Sequence, residues 1–373
     1  MFTINDSSIK NVINKEVSCA QVTQILQKQN LSIEDFAHLI KFDPNDSHLF
    51  ETLATHSKQI TISKFGLCKL VYIPLYISND CDNSCLYCGY NSTNKISRKT
   101  LNIEDIKKEL IAIFSKGHKN ILIVSSEKTD CKHIKLVADS VSLAKTIGFH
   151  SIAVEVGSLT NEESKRVSKL GAQAFVLYQE TYNKQIYQNV HLAGKKKDFT
   201  NRLESIDRAL SNGFRHTTIG FLCGLGDPIY EALCLFEHLK YLKKTFWKTD
   251  VSISIPRITD AAGVDCELYK VSDKKFAQIL MAYRVAFPEI PIYLSTRENT
   301  KLRNGLSDIC VTNLSVESKT VPGGYCSMET DVLEQFATID NRKLDEIIID
   351  LNRMGYDICF KDWQQELNVR GVK

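Results

Sequence analysis

No apolar run in this 373-residue chain approaches the ~18 residues needed to cross a bilayer, so a membrane-spanning segment is not expected. Charge of one sign is also missing. The 47 Lys and Arg nearly balance the 44 Asp and Glu, for a net of +3. That balance provides neither a basic stripe for nucleic acid nor a polybasic face for a membrane surface. Residues 1–20 mix Asn, Asp, Lys and Glu without a continuous apolar stretch, which argues against a secretory leader and for a cytoplasmic setting. Internal repeats, low-complexity tracts and flexible linkers are absent. No G-x-G-x-x-G opens a helix either: Gly224-Leu225-Gly226-Asp227 breaks the spacing, and a Rossmann dinucleotide site is unsupported.

The most telling shortage is of a fourth cysteine. Cys81, Cys85 and Cys88 stand in the run Cys81-Asp82-Asn83-Ser84-Cys85-Leu86-Tyr87-Cys88-Gly89-Tyr90, after an apolar stretch, and no other cysteine follows before Cys131. A closed iron-sulfur carrier takes four thiolates; three leave one iron open to bind and activate a ligand. Zinc is the alternative, but it needs a fourth ligand and usually a second short-spaced pair. The nearest histidines, His56 and His118, belong to no pair. The other nine of the 12 cysteines, Cys19, Cys68, Cys131, Cys223, Cys234, Cys266, Cys310, Cys326 and Cys359, are scattered singly. They are expected to be reduced thiols, mostly small buried hydrophobes.

From residue 70 onward, short β-branched runs alternate with longer amphipathic segments, the pattern of repeated βα units around a parallel sheet. Eight strands are predicted: Leu70–Ser78, Asn120–Ser126, Ser151–Gly157, Ala172–Tyr178, Thr217–Gly224, Asp250–Arg257, Pro291–Thr296 and Asp308–Ser315. Helices are predicted over Ile103–Lys116, Cys131–Thr146, Asn201–Ser211, Tyr230–Leu242 and Ser272–Phe287, where apolar residues recur at three and four spacing. The fold class is α/β, a (β/α)8 TIM-type barrel spanning 67–330. Residues 1–66, with helical periods around Ala20–Gln29 and Ser32–Ile40, form an N-terminal helical extension. Residues 331–373, with one helix over Arg342–Met354 and an apolar Ile358-Cys359-Phe360, form a C-terminal extension packed on the barrel.

Such barrels build their chemistry on loops after the carboxyl ends of strands. Those ends are unusually polar here: Ser125-Ser126-Glu127, Glu155, Gln179-Glu180, Arg257, Ser295-Thr296-Arg297-Glu298, and Ser315 with Ser318-Lys319. Structural readings stand beside the functional ones. Glu155 could pair with a lysine, and Arg297 with Glu298 or Glu317, whereas a free guanidinium fork would take a substrate carboxylate in two-point geometry. Lys195-Lys196-Lys197 could be a solvated loop or a docking patch for an acidic electron donor.

C-x-x-x-C-x-x-C with an aromatic, Tyr87, before the third cysteine is identified as the signature of the radical S-adenosylmethionine (SAM) enzymes. Within them the chain resembles the 2-iminoacetate synthases, tyrosine lyases of bacterial thiazole synthesis. The resemblance rests on Pro74-Leu75-Tyr76-Ile77-Ser78-Asn79, Arg98-Lys99-Thr100-Leu101, Tyr178-Gln179-Glu180-Thr181-Tyr182, Gly194-Lys195-Lys196, Leu294-Ser295-Thr296-Arg297-Glu298, Ser318-Lys319-Thr320, Pro322-Gly323-Gly324-Tyr325 and Lys361-Asp362-Trp363. It implies a 4Fe-4S cluster on Cys81, Cys85 and Cys88, with SAM contacted by Tyr87, the Ser126-Glu127 segment, Glu155, Glu180 and Arg202. Glu155 and Glu180 would lie nearest the ribose and Arg202 near the methionine carboxylate. Arg297, assisted by Ser315, would hold the carboxylate of L-tyrosine.

The implied reaction splits SAM to methionine and 5'-deoxyadenosine and breaks the tyrosine Cα–Cβ bond, giving 2-iminoacetate and p-cresol. The implied partners are a flavodoxin or ferredoxin electron donor and a thiazole synthase. Two positions depart from the family: Ser126 stands where a Gly is usual, and Gly157-Ser158 where Gln-Pro is usual. Three alternatives remain. The hydrogenase-maturase type of tyrosine lyase carries a second cysteine triad on an added carboxyl-terminal domain, which Cys326 and Cys359 do not form. The others are a tryptophan lyase and a non-catalytic cluster carrier.

Overall fold

The computed structural model describes residues 1–261, 268–326 and 333–360, so Cys266 and the Lys361-Asp362-Trp363 motif lie outside the described residues. Four helices come first: α1 Asp6–Asn14, α2 Cys19–Ile25, α3 Ile33–Lys41 and α4 Ser47–Phe65. The alternating core follows as β1 Cys68–Ser78, α5 Ile103–Ser115, β2 Asn120–Ser125, α6 Cys131–Ile147, β3 Ser151–Glu155, α7 Asn161–Leu170, β4 Ala174–Glu180, α8 Lys184–Val190, α9 Phe199–Ser211, β5 His216–Phe221, α10 Pro228–Thr245, β6 Asp250–Ser254, α11 Asp273–Ala286, β7 Ile292–Leu294, α12 Thr300–Ile309 and β8 Asn313–Ser315. Helix α13 Leu344–Arg353 and strand β9 Asp357–Cys359 complete the described chain.

Strands β1 to β8 pair in parallel and in order, and β1 returns to β2, with Ile73 opposite Ile121, to close the barrel. Side chains alternate along each strand, so one set fills the barrel and the other meets the surrounding helices. On β2, for example, Ile121 and Ile123 join the core between sheet and helices, whereas Leu122 and Val124 belong to a smaller cluster with Tyr76, Tyr90 and Val176. Among the leading helices, α3 packs on α10 and α11, and α4 on α11 and α12. Their starts are set by side-chain caps, including a capping box between Ser32 and Asp35 and the Asp46 carboxylate accepting from the Leu49 amide.

Two expectations need correction. The predicted strand Asp308–Ser315 begins in the last two residues of α12, Asp308 and Ile309, and the strand itself is only Asn313–Ser315. Asn299 caps α12 by accepting from the Leu302 amide at 2.9 Å, and Leu302 and Leu306 turn inward at helical spacing, a signal hidden by the polar residues between them. The scattered cysteines are not all separate thiols, because Cys68 and Cys359 are joined as a disulfide with Cα atoms 6.0 Å apart. The apolar 358–360 end places Cys359 there by adding β9 to the lower edge of β1, where Leu70 faces Cys359.

Candidate active site

The carboxyl ends of the strands open into one cavity. Every site residue expected from the sequence lines it: Cys81, Cys85, Cys88, Tyr87, Ser126, Glu127, Glu155, Glu180, Arg202, Arg297 and Ser315.

The cysteine loop leaves β1 and folds over the cavity. Cys85 is buried while Cys81 and Cys88 are half-buried. The Asn83 amide donates to the Cys81 sulfur at 3.4 Å, and the Gln335 side-chain amide reaches the Cys88 sulfur at 3.7 Å. Among the described residues, no three side chains of His, Cys, Asp or Glu converge on a point where a single ion could sit. Three soft sulfurs that face one cavity without converging, two of them already receiving hydrogen bonds, fit an iron-sulfur cluster, whose irons each take one thiolate. They do not form a tetrahedral zinc site.

Glu127 bridges the cysteine loop and the loop after β3. It accepts from the Asn83 side-chain amide at 2.9 Å and from the Ser158 amide at 2.8 Å. The departure at Gly157 is what allows this. With φ at +83°, a Cβ there would come within 2.5 Å of the Glu127 side chain. At the other departure, the Ser126 hydroxyl is spent on the Asp80 carbonyl at 2.8 Å.

Behind Glu127 lies an ion-pair array. Glu180 accepts from Lys196 at 2.6 Å and from Arg202 at 3.0 Å, and Arg202 also approaches Glu127 at 4.0 Å. Burial alone would raise the Glu180 carboxyl, but the pull of Lys196 and Arg202 holds it below its usual value. Glu180 occupies the left-handed region at φ 70°, next to a bulge opposite Phe221. Such backbone strain at a non-glycine persists only where surrounding contacts fix it.

Glu155 makes no ion pair among the described residues, so the pairing with a lysine is not found. Burial, reinforced by the nearby Glu180, pushes its carboxyl up to about 7 from 4.5. A raised carboxyl pKa means that the folded state holds the proton longer than the unfolded chain does. Stability attributable to Glu155 is therefore present below about 4.5 and is lost as pH rises toward 7. Glu155→Gln is expected to melt higher than the native sequence above pH 7, with the gap closing toward pH 4.5. Thermal unfolding across that window checks it, and a constant gap would exclude Glu155 as the source.

At the opposite wall, Arg297 pairs with neither Glu298 nor Glu317. Arg257 holds Glu298 through Nε at 2.9 Å, and Glu317 serves His118 at 3.2 Å. The Arg297 guanidinium lies 3.4 Å from the centroid of the Phe336 ring and, among the described residues, hydrogen-bonds the Arg257 carbonyl at 3.3 Å. The Ser315 hydroxyl accepts from the Thr296 amide at 3.0 Å, while buried Arg303 donates to the Ser315 carbonyl at 2.5 Å and pairs with Asp340.

Sequence reasoning missed several cavity residues. Lys196, read as part of a solvated charge run, is largely covered at 14% side-chain exposure, with its ammonium 5.5 Å from the Tyr87 ring centroid. Its position depends on Gly194, where a Cβ would collide with Asn83. Gln335 and Phe336 come from a segment without periodic pattern, yet Gln335 also accepts from the Tyr76 hydroxyl at 2.8 Å. For Asn83 the only available signal was its place between two of the cysteines.

Residues 75–233 match the Radical SAM superfamily profile, and residues 254–357 match the Biotin and Thiamin Synthesis associated domain. The 2-iminoacetate synthase of Salmonella typhimurium is 33% identical over 94% of this chain and 92% of its own length. The Escherichia coli 2-iminoacetate synthase is also 33% identical, over 94% and 92%. Among solved structures, the FeFe-hydrogenase maturase HydG of Carboxydothermus hydrogenoformans superposes with a TM-score of 0.88 at 32% identity, covering 95% of this chain and 83% of HydG. Methylornithine synthase (PylB), at TM-score 0.74 and 18% identity, shares the fold.

Proposed function

This chain belongs to the 2-iminoacetate synthase family and is a radical SAM carbon–carbon lyase of that kind, and on that premise we propose that the cavity at the barrel mouth cleaves the Cα–Cβ bond of L-tyrosine to 2-iminoacetate and p-cresol. The supporting observation is that eleven residues drawn from the cysteine loop after β1, five other strand ends and helix α9 line a single cavity. When bound, the cluster and SAM would supply the radical chemistry that abstracts a hydrogen from the substrate amine.

The protein's part is to position, charge-balance and dry that chemistry. Cys81, Cys85 and Cys88 hold the 4Fe-4S cluster, with the Asn83 and Gln335 amides aimed at two of the sulfurs. Tyr87, the Ser126-Glu127 segment, Glu155, Glu180 and Arg202 surround SAM. Glu155 and Glu180 would meet the ribose, and Arg202 would take the methionine carboxylate. Arg297, which has no carboxylate partner among the described residues, binds the tyrosine carboxylate with Ser315 beside it. Leu122, Val124, Leu177 and Leu222 give the cavity apolar walls that exclude water from radical intermediates. The reductant is a flavodoxin or ferredoxin. Because 2-iminoacetate is an imine that water hydrolyses, a thiazole synthase takes it up directly.

Labelled tyrosine incubated anaerobically with reconstituted protein, SAM and dithionite is expected to yield p-cresol and 5'-deoxyadenosine together. Cleavage of tryptophan in preference to tyrosine would move the assignment to the tryptophan lyases. Failure to release 5'-deoxyadenosine with either amino acid would leave a cluster carrier.

A further inference from the structure

His191 is fully buried and carries no role in the reaction outlined above. It sits at the centre of a clamp on the cysteine loop. The segment after α8 runs antiparallel to that loop: the Leu86 amide donates to the Val190 carbonyl at 3.0 Å, the Ser84 amide to the Ala193 carbonyl at 3.1 Å, and the Leu192 amide to the Ser84 carbonyl at 2.9 Å. Cys85 and His191 face each other in that ladder.

The imidazole then fixes one side chain of the loop. Its Nδ1 lies 2.8 Å from the Tyr187 carbonyl, which can only accept, so Nδ1 carries the hydrogen. A neutral ring protonated there has a bare Nε2. The Tyr87 hydroxyl, 2.8 Å away, must therefore donate to it. The two rings meet edge to face, with centroids 5.5 Å apart and planes at 89°, and the Tyr187 ring packs against His191 at a tilt of 43° with centroids 4.0 Å apart. Tyr87 is left with one orientation, its ring facing the cavity and the Lys196 ammonium.

We propose that His191 is a positioning residue for cofactor binding: by accepting the Tyr87 hydroxyl hydrogen it locks that ring in the attitude that receives SAM. This rests on the reading of Tyr87 as a SAM contact. It adds a buried histidine that does not line the cavity, and a reason for the buried Tyr187-His191 pair. The anchor also leaves the loop backbone independent of the imidazole, because the ladder bonds are main-chain to main-chain. Losing the side chain should therefore disturb SAM before it disturbs the cluster.

The test compares Tyr87→Phe, His191→Phe, their double variant and His191→Gln as anaerobically reconstituted holoenzymes. It measures iron per chain, the SAM dissociation constant by equilibrium dialysis, and the change in the cluster's EPR spectrum on adding SAM. Tyr87→Phe, which keeps the ring and removes only the hydroxyl, and His191→Phe should each weaken SAM binding about five- to tenfold, the effect of one buried hydrogen bond. The double variant should be no worse than the weaker single, since both remove the same bond. His191→Gln, whose side-chain oxygen can accept in place of Nε2, should recover part of the affinity, and iron content should match the unmodified protein throughout. Native SAM affinity in His191→Phe, additive losses, or loss of iron with His191→Phe would each overturn the proposal. Absence of SAM binding by the unmodified protein would instead overturn the SAM reading itself.

Discussion

Cys85→Ala should abolish tyrosine cleavage and leave a protein that cannot be reconstituted with a full 4Fe-4S cluster, while remaining folded. Cys85 lies in the middle of the loop and is 5% exposed, the most enclosed of the three thiols. Burial pushes that thiol up to about 12. A bound iron must therefore displace its proton, and it does so because the metal–thiolate bond outweighs the proton's hold. With two thiolates remaining, a cubane would expose a second iron to solvent and lose an anchor on the enclosed side. The fold has no such dependence on the sulfur. The loop is held by the Ser84 and Leu86 amides and by Asn83, whose side-chain oxygen accepts from the Lys196 amide at 2.9 Å. Iron analysis and absorbance of the reconstituted variant decide the matter, with Cys131→Ser, altering an exposed cysteine on α6, as the control expected to keep its iron. Full iron in Cys85→Ala would remove the ligand assignment.

The residues that meet in the cavity were largely legible because barrel topology converts a one-dimensional regularity into a common location. Once eight βα units are recognised, polar residues at strand ends such as Glu155 and Arg297 must gather at one face, whatever lies between them. What stayed hidden depends on contacts between distant segments. Lys196 resembles its flanking lysines in sequence, and only the approach of Gly194 to Asn83 turns it inward to Glu180. Arg257 and Arg297 both follow strands, yet Arg257 is consumed by Glu298 and by Asp273, at 2.8 Å, while no acid among the described residues pairs with Arg297. No local pattern distinguishes them. The short helix α8 was missed for the same reason: Lys184–Val190 buries only Tyr187 and Val190, too few residues for a periodic signal, although it anchors the cysteine loop.

Arg297→Ala is expected to raise the KM for tyrosine roughly a hundredfold, corresponding to about 3 kcal/mol for a charge-assisted carboxylate contact in a partly desolvated site. Burial pushes the Arg297 guanidinium below its usual value, and no carboxylate among the described residues relieves it directly. Stacking on Phe336 orients the fork but neutralises no charge. A cation held this way is stabilised most by an anion supplied with the ligand, and two parallel N–H···O bonds from a guanidinium fit a carboxylate and no other part of an amino acid. Arg297→Lys keeps the charge and loses the fork, so it should fall between the two. SAM binding and iron content should be unchanged in both variants, because neither Arg202 nor the three cysteines share a hydrogen bond with Arg297. The decisive measurement is tyrosine dependence of p-cresol formation at saturating SAM. Unaltered tyrosine affinity in Arg297→Ala would show that the carboxylate is held elsewhere in the cavity, with Lys196 the next cation to test.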